Sequence, residues 1–520
     1  MQSLTRLTVF LCCFWAFTLL YGEMVAYWAP LWTCSWPHLR SSSSSDHDHY
    51  LKVAVLADPQ LMDRTSIGFP PKSLALEAAQ FYTDLYMRRS FHLSILPFRP
   101  DLIVFLGDQF DGGPFLSDEE WEESLNRFKH IFSLSEKDGD LPIPIYYLSG
   151  NHDIGYAAFH SQHPEVISRY EKEFGARNYQ FSVGKVNFIV VDAQTLDGPK
   201  QGKETSLSWD FIKNISNDAT INPKVLLTHI PLYRPDETPC GPHRYSSVIN
   251  QRISYAGTDH GILYQNYLSE ETSTHLLDLI QPILVLSGHD HDQCTAVHPN
   301  PAVLMHTVGT VSWQQGNLYP SFMLLSAANS SSDSTNSEDV VSTQLCFLPM
   351  QTHIYIWYLI QFVITLVLII TWPTNGFGLS DKFMSYIRAV KNNLTATTKE
   401  KDEEENEYEM IWDAEGSMHL VKKATTKVPV QKPDIRSTGR SGVVSRLTAK
   451  KHSQEPEASV LVDMSTELKS DDASRLQRLS KSKVRKLIQL LFRLRLLVVV
   501  AAVNVPLYMM LLFKDWITDH

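Results

Sequence analysis

The sequence predicts an α/β fold flanked by segments that cross a membrane, and three observations predict it. From residue 51 to about 326, short apolar runs alternate with helical stretches. Five of those runs end directly in carboxylate, amide or imidazole side chains. Three longer apolar segments lie near the N-terminus, at 353–372 and at 496–513. The interleaving argues for a largely parallel sheet. The later part is richer in strands, which suggests a second sheet packed on the first.

Taken in order, residues 7–21 (LTVFLCCFWAFTLLY) follow a single Arg6, and apolar character resumes over 24–32. No small-residue cleavage site stands out, which favours an uncleaved signal anchor within 1–37 over a cleaved peptide. Residues 38–50 are a polar, Ser-rich linker. Strands are expected at 53–57, 102–106, 143–148, 186–191, 224–228, 283–286, 303–307 and 322–325. Helices are expected at 73–96 and 117–134, the second opened by Ser117 with Glu120 three residues on, the pattern of a capping box. Residues 327–340 read as a surface loop that closes the globular domain of 51–350.

The segment 351–372 reads as a transmembrane helix. Lys382, Arg388 and Lys391 follow it, which places the next stretch in the cytosol. Residues 373–490, with an acidic run at 400–409, read as a largely disordered cytosolic loop. Residues 491–520 read as a last transmembrane helix and short tail, entered from the basic side at Lys481 to Arg495. Asn504 and Pro506 within it leave a re-entrant or interfacial segment as the alternative. This topology puts residues 38–350 in a lumen, together with the sequons at Asn214 and Asn329, and puts the sequon at Asn393 in the cytosol.

The formal net charge of -11 argues against a nucleic-acid partner. The six cysteines show no C-x-x-C spacing. Cys12 and Cys13 lie in the first apolar segment. Cys34, Cys240, Cys294 and Cys346 fall on the lumenal side, where a Cys240–Cys294 disulfide or free buried thiols are the two readings.

The chemistry lies in the five strand ends: Asp58-Pro59-Gln60, Gly107-Asp108, Gly150-Asn151-His152-Asp153, His229, and Gly288-His289-Asp290-His291. Each alone is compatible with a polar turn, but the set points to a metal site. Oxygen and imidazole ligands without thiolate suit Mn, Fe or Zn. Asp58, Asp108, Asn151, His229, His289 and His291 are too many for one ion with open positions. A bridging carboxylate, for which Asp108 is the natural choice, lets them hold two. Two close ions can clamp a phosphoryl group and activate a water. His152 is then free to stabilise the transition state or protonate the leaving group, with Asp153 beside it as the residue expected to orient the imidazole.

These motifs resemble the calcineurin-like metallophosphoesterase superfamily over about residues 51–326. The resemblance implies a four-layer αββα sandwich with a dinuclear centre at the strand ends. It implies Asp58, Asp108 and His291 for the first ion, and Asp108, Asn151, His229 and His289 for the second. The superfamily usually has His where this chain has Gln60, so Gln60 binds weakly or through water, or the first ion has one ligand fewer. The departure favours Mn, with Fe or Zn as alternatives. Ala57-Asp58-Pro59-Gln60, the stretch from Phe105 to Gly113, Pro231-Leu232-Tyr233-Arg234 and Ser312-Trp313 are similar to the branch that remodels glycosylphosphatidylinositol (GPI) anchors. That likeness implies a phosphodiesterase that removes an ethanolamine-phosphate branch from a GPI mannose in the endoplasmic reticulum or early Golgi membrane. GPI-anchored proteins or GPI lipid would be its substrates and cargo-transport proteins its candidate partners.

Around this set, Arg234 is read as a substrate contact or a salt-bridged loop residue, and Asp111 as support for the Asp108 turn. Trp313 is read as packing or sugar-stacking, and His243, His260 and His306 as structural. The alternatives to the GPI reading are a lumenal phosphatase or nucleotide phosphodiesterase with soluble substrates, and a non-catalytic cargo receptor.

Overall fold

The computed structural model describes residues 2–39, 50–133, 143–160, 163–200, 202–218, 222–247, 250–256, 261–329, 340–372, 408–412, 418–422 and 470–517. Thirteen strands precede the second long apolar segment. They are β1 (Tyr50–Leu56), β2 (Leu102–Phe105), β3 (Ile145–Tyr147), β4 (Tyr179–Val183), β5 (Val186–Val191), β6 (Lys224–Thr228), β7 (Ile253–Ala256), β8 (Gly261–Gln265), β9 (Leu284–Ser287), β10 (Cys294–Pro299), β11 (Ala302–Thr307), β12 (Ser321–Ala328) and β13 (Val341–Phe347). They form a five-stranded sheet of order β13-β12-β1-β2-β3 and a six-stranded sheet of order β10-β11-β9-β6-β5-β4, with β7 and β8 as a separate hairpin.

The central pairs are parallel: β1 with β2 and β2 with β3 in one sheet, and β5 with β6, β6 with β9 and β9 with β11 in the other. Parallel neighbours end on the same edge. The residues following β1, β2, β3, β6 and β9 therefore emerge together, where ligands bind in open α/β sheets.

Alternate side chains of each strand go to opposite faces. In β1 and β2, Val53, Val55, Leu102 and Val104 join Val186, Phe188, Val225, Leu227 and Leu286 in a core between the sheets. Ala54, Leu56, Ile103 and Phe105 face outward onto Tyr86, Met87, Leu125 and Phe128 of the helices Leu74–Arg89 and Asp118–Ile131. On the far side, Ile189, Leu226 and Val285 pack on Ile212, Ile215, Leu276 and Leu277 of the helices Lys203–Asn217 and Glu270–Ile280. The result is helix, sheet, sheet, helix: the four layers expected.

The capping box forms as the sequence predicts, with Glu120 N–H donating to Ser117 Oγ and Ser117 N–H to Glu120 Oε2. The helix expected over 73–96 is α-helical to Arg89, widens into a π-helical stretch over Ser90–Ile95 and ends in a 3-10 turn, Leu96–Phe98. β4, β10, β13 and the β7–β8 hairpin were not expected. β13 pairs antiparallel with β12 from Ala327↔Val341 to Ser321↔Phe347. Its alternation of Val341, Thr343, Leu345 and Phe347 was a usable signal, masked by the Ser-rich run before it. Cys240–Cys294 is a disulfide, and a second one, Cys34–Cys346, ties the chain after the first apolar helix to β13. Asn214 and Asn329 are both exposed.

Among the described residues, three helical segments are long and apolar enough to cross a membrane: Leu4–Thr33, Gln351–Thr371 and Leu490–Lys514. The last belongs to one helix, Ser470–Ile517, that runs through Pro506. Within the stretch expected to be disordered, β14 (Tyr408–Trp412) pairs antiparallel with β15 (Met418–Lys422). The remainder of 373–469 lies outside the described residues. The chain divides into two compact units, residues 368–495 and the rest.

In the larger unit, one buried arginine joins the apolar helices to the domain. Arg89 is 1% exposed and reaches Glu23 Oε2 at 2.5 Å and the Leu511 carbonyl at 2.7 Å. Tyr358 O–H donates to Glu23 Oε1 at 2.9 Å, and Trp15 Nε1–H to Thr365 Oγ1 at 3.0 Å. Removing one partner of a buried pair leaves the other charge uncompensated, at about 3–5 kcal/mol. Arg89→Ala should therefore lower the thermal stability of the detergent-solubilised protein by that order, and Glu23→Ala on top should restore part of it. A double mutant no more stable than Arg89→Ala would show that the pair is not what matters.

Candidate metal centre

The loop after β1 carries Asp58 and Gln60, both fully buried, and the loop after β2 carries Asp108, also fully buried. All three have left-handed backbone, with φ of 49°, 40° and 54°. The loops hold each other: Gln60 N–H donates to the Asp108 carbonyl at 2.8 Å, and Leu61 N–H to that of Gln109 at 3.0 Å. Thr310 Oγ1–H fixes the Asp58 carbonyl at 2.6 Å. Two glycines make the approach feasible. A Cβ on Gly107 (φ 103°) would stand 2.5 Å from His229 Nδ1, and one on Gly150 would stand 2.0 Å from Asp108 Oδ1.

The imidazoles are oriented by backbone carbonyls, which accept only and so fix the proton on the nitrogen they face. His229 Nδ1–H donates to the Leu106 carbonyl at 2.8 Å, turning Nε2 toward Asn151 Oδ1 at 3.1 Å and Asp108 Oδ2 at 3.3 Å. His289 Nε2–H donates to the Gln265 carbonyl at 3.0 Å, which leaves a buried Nδ1 without a hydrogen-bond partner. His289 N–H in turn donates to both oxygens of Asp58 at 3.0 Å. His291 completes the cluster. Ligand atoms of Asp58, Asp108 and His291 lie within 4.8 Å of one another, and so do those of Asp108, His229 and His289.

The two sets share Asp108, the residue singled out as a bridge, and Asn151 lies beside the second. Burial drives the Asp58 carboxyl up to about 7 and pushes His289 and His291 down to about 3 and about 4. These imidazoles are thus neutral lone-pair donors at ordinary pH, facing carboxylates that also offer lone pairs. A cluster of acceptors around orphaned nitrogen and oxygen atoms fits divalent cations, whose charge reverses each of these pressures.

The role expected of Asp153 is corrected. Its carboxylate does not reach His152. It turns back under the loop, accepting from Gly150 N–H at 2.8 Å and Phe110 N–H at 3.1 Å, because it is the third residue of the turn that Gly150 opens. Asp111 takes the job instead. His152 Nδ1–H donates to the Asp111 carbonyl at 2.5 Å, and the Asp111 carboxylate lies 3.3 Å away. Burial lowers the His152 imidazole, but Asp108 and Asp111 outweigh it and hold its pKa above the ordinary value.

Of the two readings of Arg234, the structure shows the salt-bridged one. It is 3% exposed, stacks over the Tyr267 ring at 4.2 Å and pairs with Asp290 Oδ2 at 2.6 Å. Arg244, which the sequence reading passed over, grips both Asp290 oxygens at 2.7 and 2.9 Å. Asp292 accepts from Tyr245 and Ser246 N–H at 3.1 and 2.7 Å. The His289–His291 loop is thereby clamped, and His289 and His291 hold φ of 72° and 58°. Trp313 packs edge-on to Tyr355 at 5.6 Å, and His306 sits between Thr295 and Thr343. His243 lies 4.7 Å from the Phe347 ring, and His260 falls outside the described residues.

A cleft of about 570 Å³ opens beside the cluster. Asn151, His152, His289 and His291 line it together with the aromatic residues Phe115, Phe159, Tyr156 and Tyr264. Tyr264 stands on β8 of the hairpin, the element least visible in the sequence.

Residues 51–293 match the model of the calcineurin-like phosphoesterase family. The chain is 27% identical over 362 residues to Cell division control protein 1 of Saccharomyces cerevisiae, covering 66% of this chain and 71% of that protein. It is 27% identical over 372 residues to Metallophosphoesterase 1 of Rattus norvegicus, covering 68% of this chain and 86% of that protein. Among solved structures it is similar to GAP50, the anchor in the inner membrane complex of Plasmodium, with 17% identity, a TM-score of 0.35, and coverage of 57% of this chain and 84% of that one.

The two aspartates should separate by experiment. Asp111→Asn should leave metal content intact and reduce turnover of a chromogenic phosphodiester by about 10–100-fold. Asp153→Ala removes an acceptor from two buried N–H groups and should cost about 1–3 kcal/mol of stability, with loss of bound metal. Equal metal loss in both variants would contradict the division of labour.

Proposed function

Because this chain carries a calcineurin-like phosphoesterase domain over residues 51–293 and is a metal-dependent phosphoester hydrolase, we propose that it is a membrane-anchored phosphodiesterase that removes an ethanolamine-phosphate branch from a mannose of the GPI glycan. The observation that carries this reading is the pair of ligand sets sharing Asp108 beside a cleft lined by His152, His289, His291 and several aromatic residues. The ligand sets suit a phosphodiester, and aromatic faces suit a sugar ring next to it. Three membrane-length helices suit a lipid-linked substrate. The motif likeness to the GPI-remodelling branch and the metallophosphoesterase relatives supply the rest.

Asp58, Asp108 and His291 would hold one divalent ion, and Asp108, Asn151, His229 and His289 the other, with Mn as the proposed metal. Bound there, divalent ions would supply charge neutralisation at the phosphoryl group and a lowered pKa for a water nucleophile. The protein's own groups do the remainder. His152, with Nδ1–H held by Asp111, keeps Nε2 for the cleft, where it donates a proton to the departing sugar oxygen. Asp153 keeps the Asn151–His152 backbone in place. The aromatic residues of the cleft orient the sugar and exclude water. The catalytic domain of 51–350 faces the lumen of the endoplasmic reticulum or early Golgi, residues 373–490 face the cytosol, and GPI-anchored proteins are the substrates that recruit cargo-transport partners.

Cells lacking this protein should accumulate GPI-anchored reporters whose glycans are heavier by one ethanolamine phosphate, read by mass spectrometry. Wild type should restore the normal mass. His152→Ala should bind metal as wild type does yet fail to restore it, with turnover lower by about 10²–10⁴-fold. Unchanged reporter glycans would sink the GPI reading and leave a hydrolase of other phosphodiesters.

A further inference from the structure

The two ligand sets are unequal. The one built on Asp58, Asp108 and His291 has a single imidazole, while the one built on Asp108, His229 and His289 has two. Beside Asp108, which both sets share, stands Gln60, 0% exposed and two residues on from Asp58 of the poorer set. Its backbone is fixed from both directions, by its own N–H on the Asp108 carbonyl at 2.8 Å and by Gln314 Nε2–H on its carbonyl at 2.6 Å. Its side chain is used by half. Nε2–H donates to Asp108 Oδ2 at 2.9 Å, while Oε1 is buried with no hydrogen-bond partner. Ionised, as metal binding requires them to be, the Asp58 and Asp108 carboxylates are acceptors themselves and cannot satisfy it. A buried acceptor left this way in a folded protein calls for a donor or a cation.

We propose that Gln60 completes the first ion's position. Its N–H steadies the carboxylate that both ions share, and Oε1 faces the first ion as a neutral oxygen ligand. An amide carries donor and acceptor on one carbon, so one side chain touches the ion and the bridge together. The first position then offers Asp58, Asp108, Gln60 and His291, three oxygens to one nitrogen. The second offers Asp108, Asn151, His229 and His289, two of each. Oxygen-rich sites favour hard cations such as Mn and Mg, and imidazole-rich ones favour Zn and Fe. The centre is accordingly built to hold two different metals, or to exchange the first ion far more readily than the second. This rests on the two-ion reading above.

The test uses the full-length protein in detergent, stripped with chelator and dialysed against a Mn and Zn mixture in which wild type takes up both metals, with content read by mass spectrometry. Wild type should hold two ions per chain. Gln60→His puts an imidazole at the first position and should raise the Zn-to-Mn ratio by about tenfold or more. Gln60→Leu, similar in volume and without ligand atoms, should lose the first ion at concentrations about 10–100-fold higher than wild type does and keep the second. Because Gln60→His is expected to gain an affinity, poor folding of Gln60→Leu alone does not decide the matter. Two ions in wild type, with the same ratio and release in both variants, would overturn the role of Gln60 and leave the two-ion centre standing. Saturation of wild type at one ion would instead overturn the two-ion reading itself.

Discussion

Asp108 carries a carboxylate to a place that water does not reach, and the structure is arranged around that fact. Its side chain is fully buried, accepts from His152 N–H at 2.8 Å and from Gln60 Nε2–H at 2.9 Å, and faces His229. A buried charge survives only if it is paired. Here the surrounding groups are mostly acceptors as well: the Asp58 carboxylate, Asn151 Oδ1, and the neutral imidazoles of His289 and His291. Burial lowers the His229 imidazole, but Asp108 and Asp58 outweigh it and raise its pKa to about 9. Further positive charge must come from outside the chain, and the site is a mould for it.

Keeping such a mould in shape requires rigidity before any ion arrives. Four of the five strands that deliver the ligands, β1, β2, β6 and β9, lie inside their sheets and are mostly buried, while β3, which leads to Asn151, is a half-buried edge strand. Their loops enter left-handed backbone at five non-glycine residues, each an unfavourable conformation held by the tertiary hydrogen bonds around it. The histidine loop is gripped from outside through Asp290 by two arginines. At the opposite scale, the Arg89–Glu23 pair fixes the apolar helices to the domain.

The residues of the centre were legible because metal chemistry restricts residue types, and parallel strands force those residues to appear just after apolar runs. Asp58, Asp108, His229, His289 and His291 needed no tertiary information to be noticed. What failed was inference from adjacency. Asp153 follows His152 in sequence, yet the turn points its carboxylate back at the backbone, while Asp111 comes to the imidazole from another loop. Arg234 sits in a motif shared with a functional family but serves Asp290. The hairpin that closes the cleft, the pairing of β13 and the Cys34–Cys346 bridge all depend on distant partners, and no local pattern encodes those. The four-layer architecture lay between these cases, since period-two burial predicted sheets while their order required the structure.

The Cys240–Cys294 bridge joins the segment that carries Arg234 and Arg244 to the strand that follows His291. The two arms that meet on Asp290 are therefore sewn together by the same bond. A chain lacking that bond would hold the loop of His289 and His291 through noncovalent contacts alone, those of Asp290 and Asp292 among them, so the redox state of two cysteines bears on the shape of a site to which neither contributes a ligand.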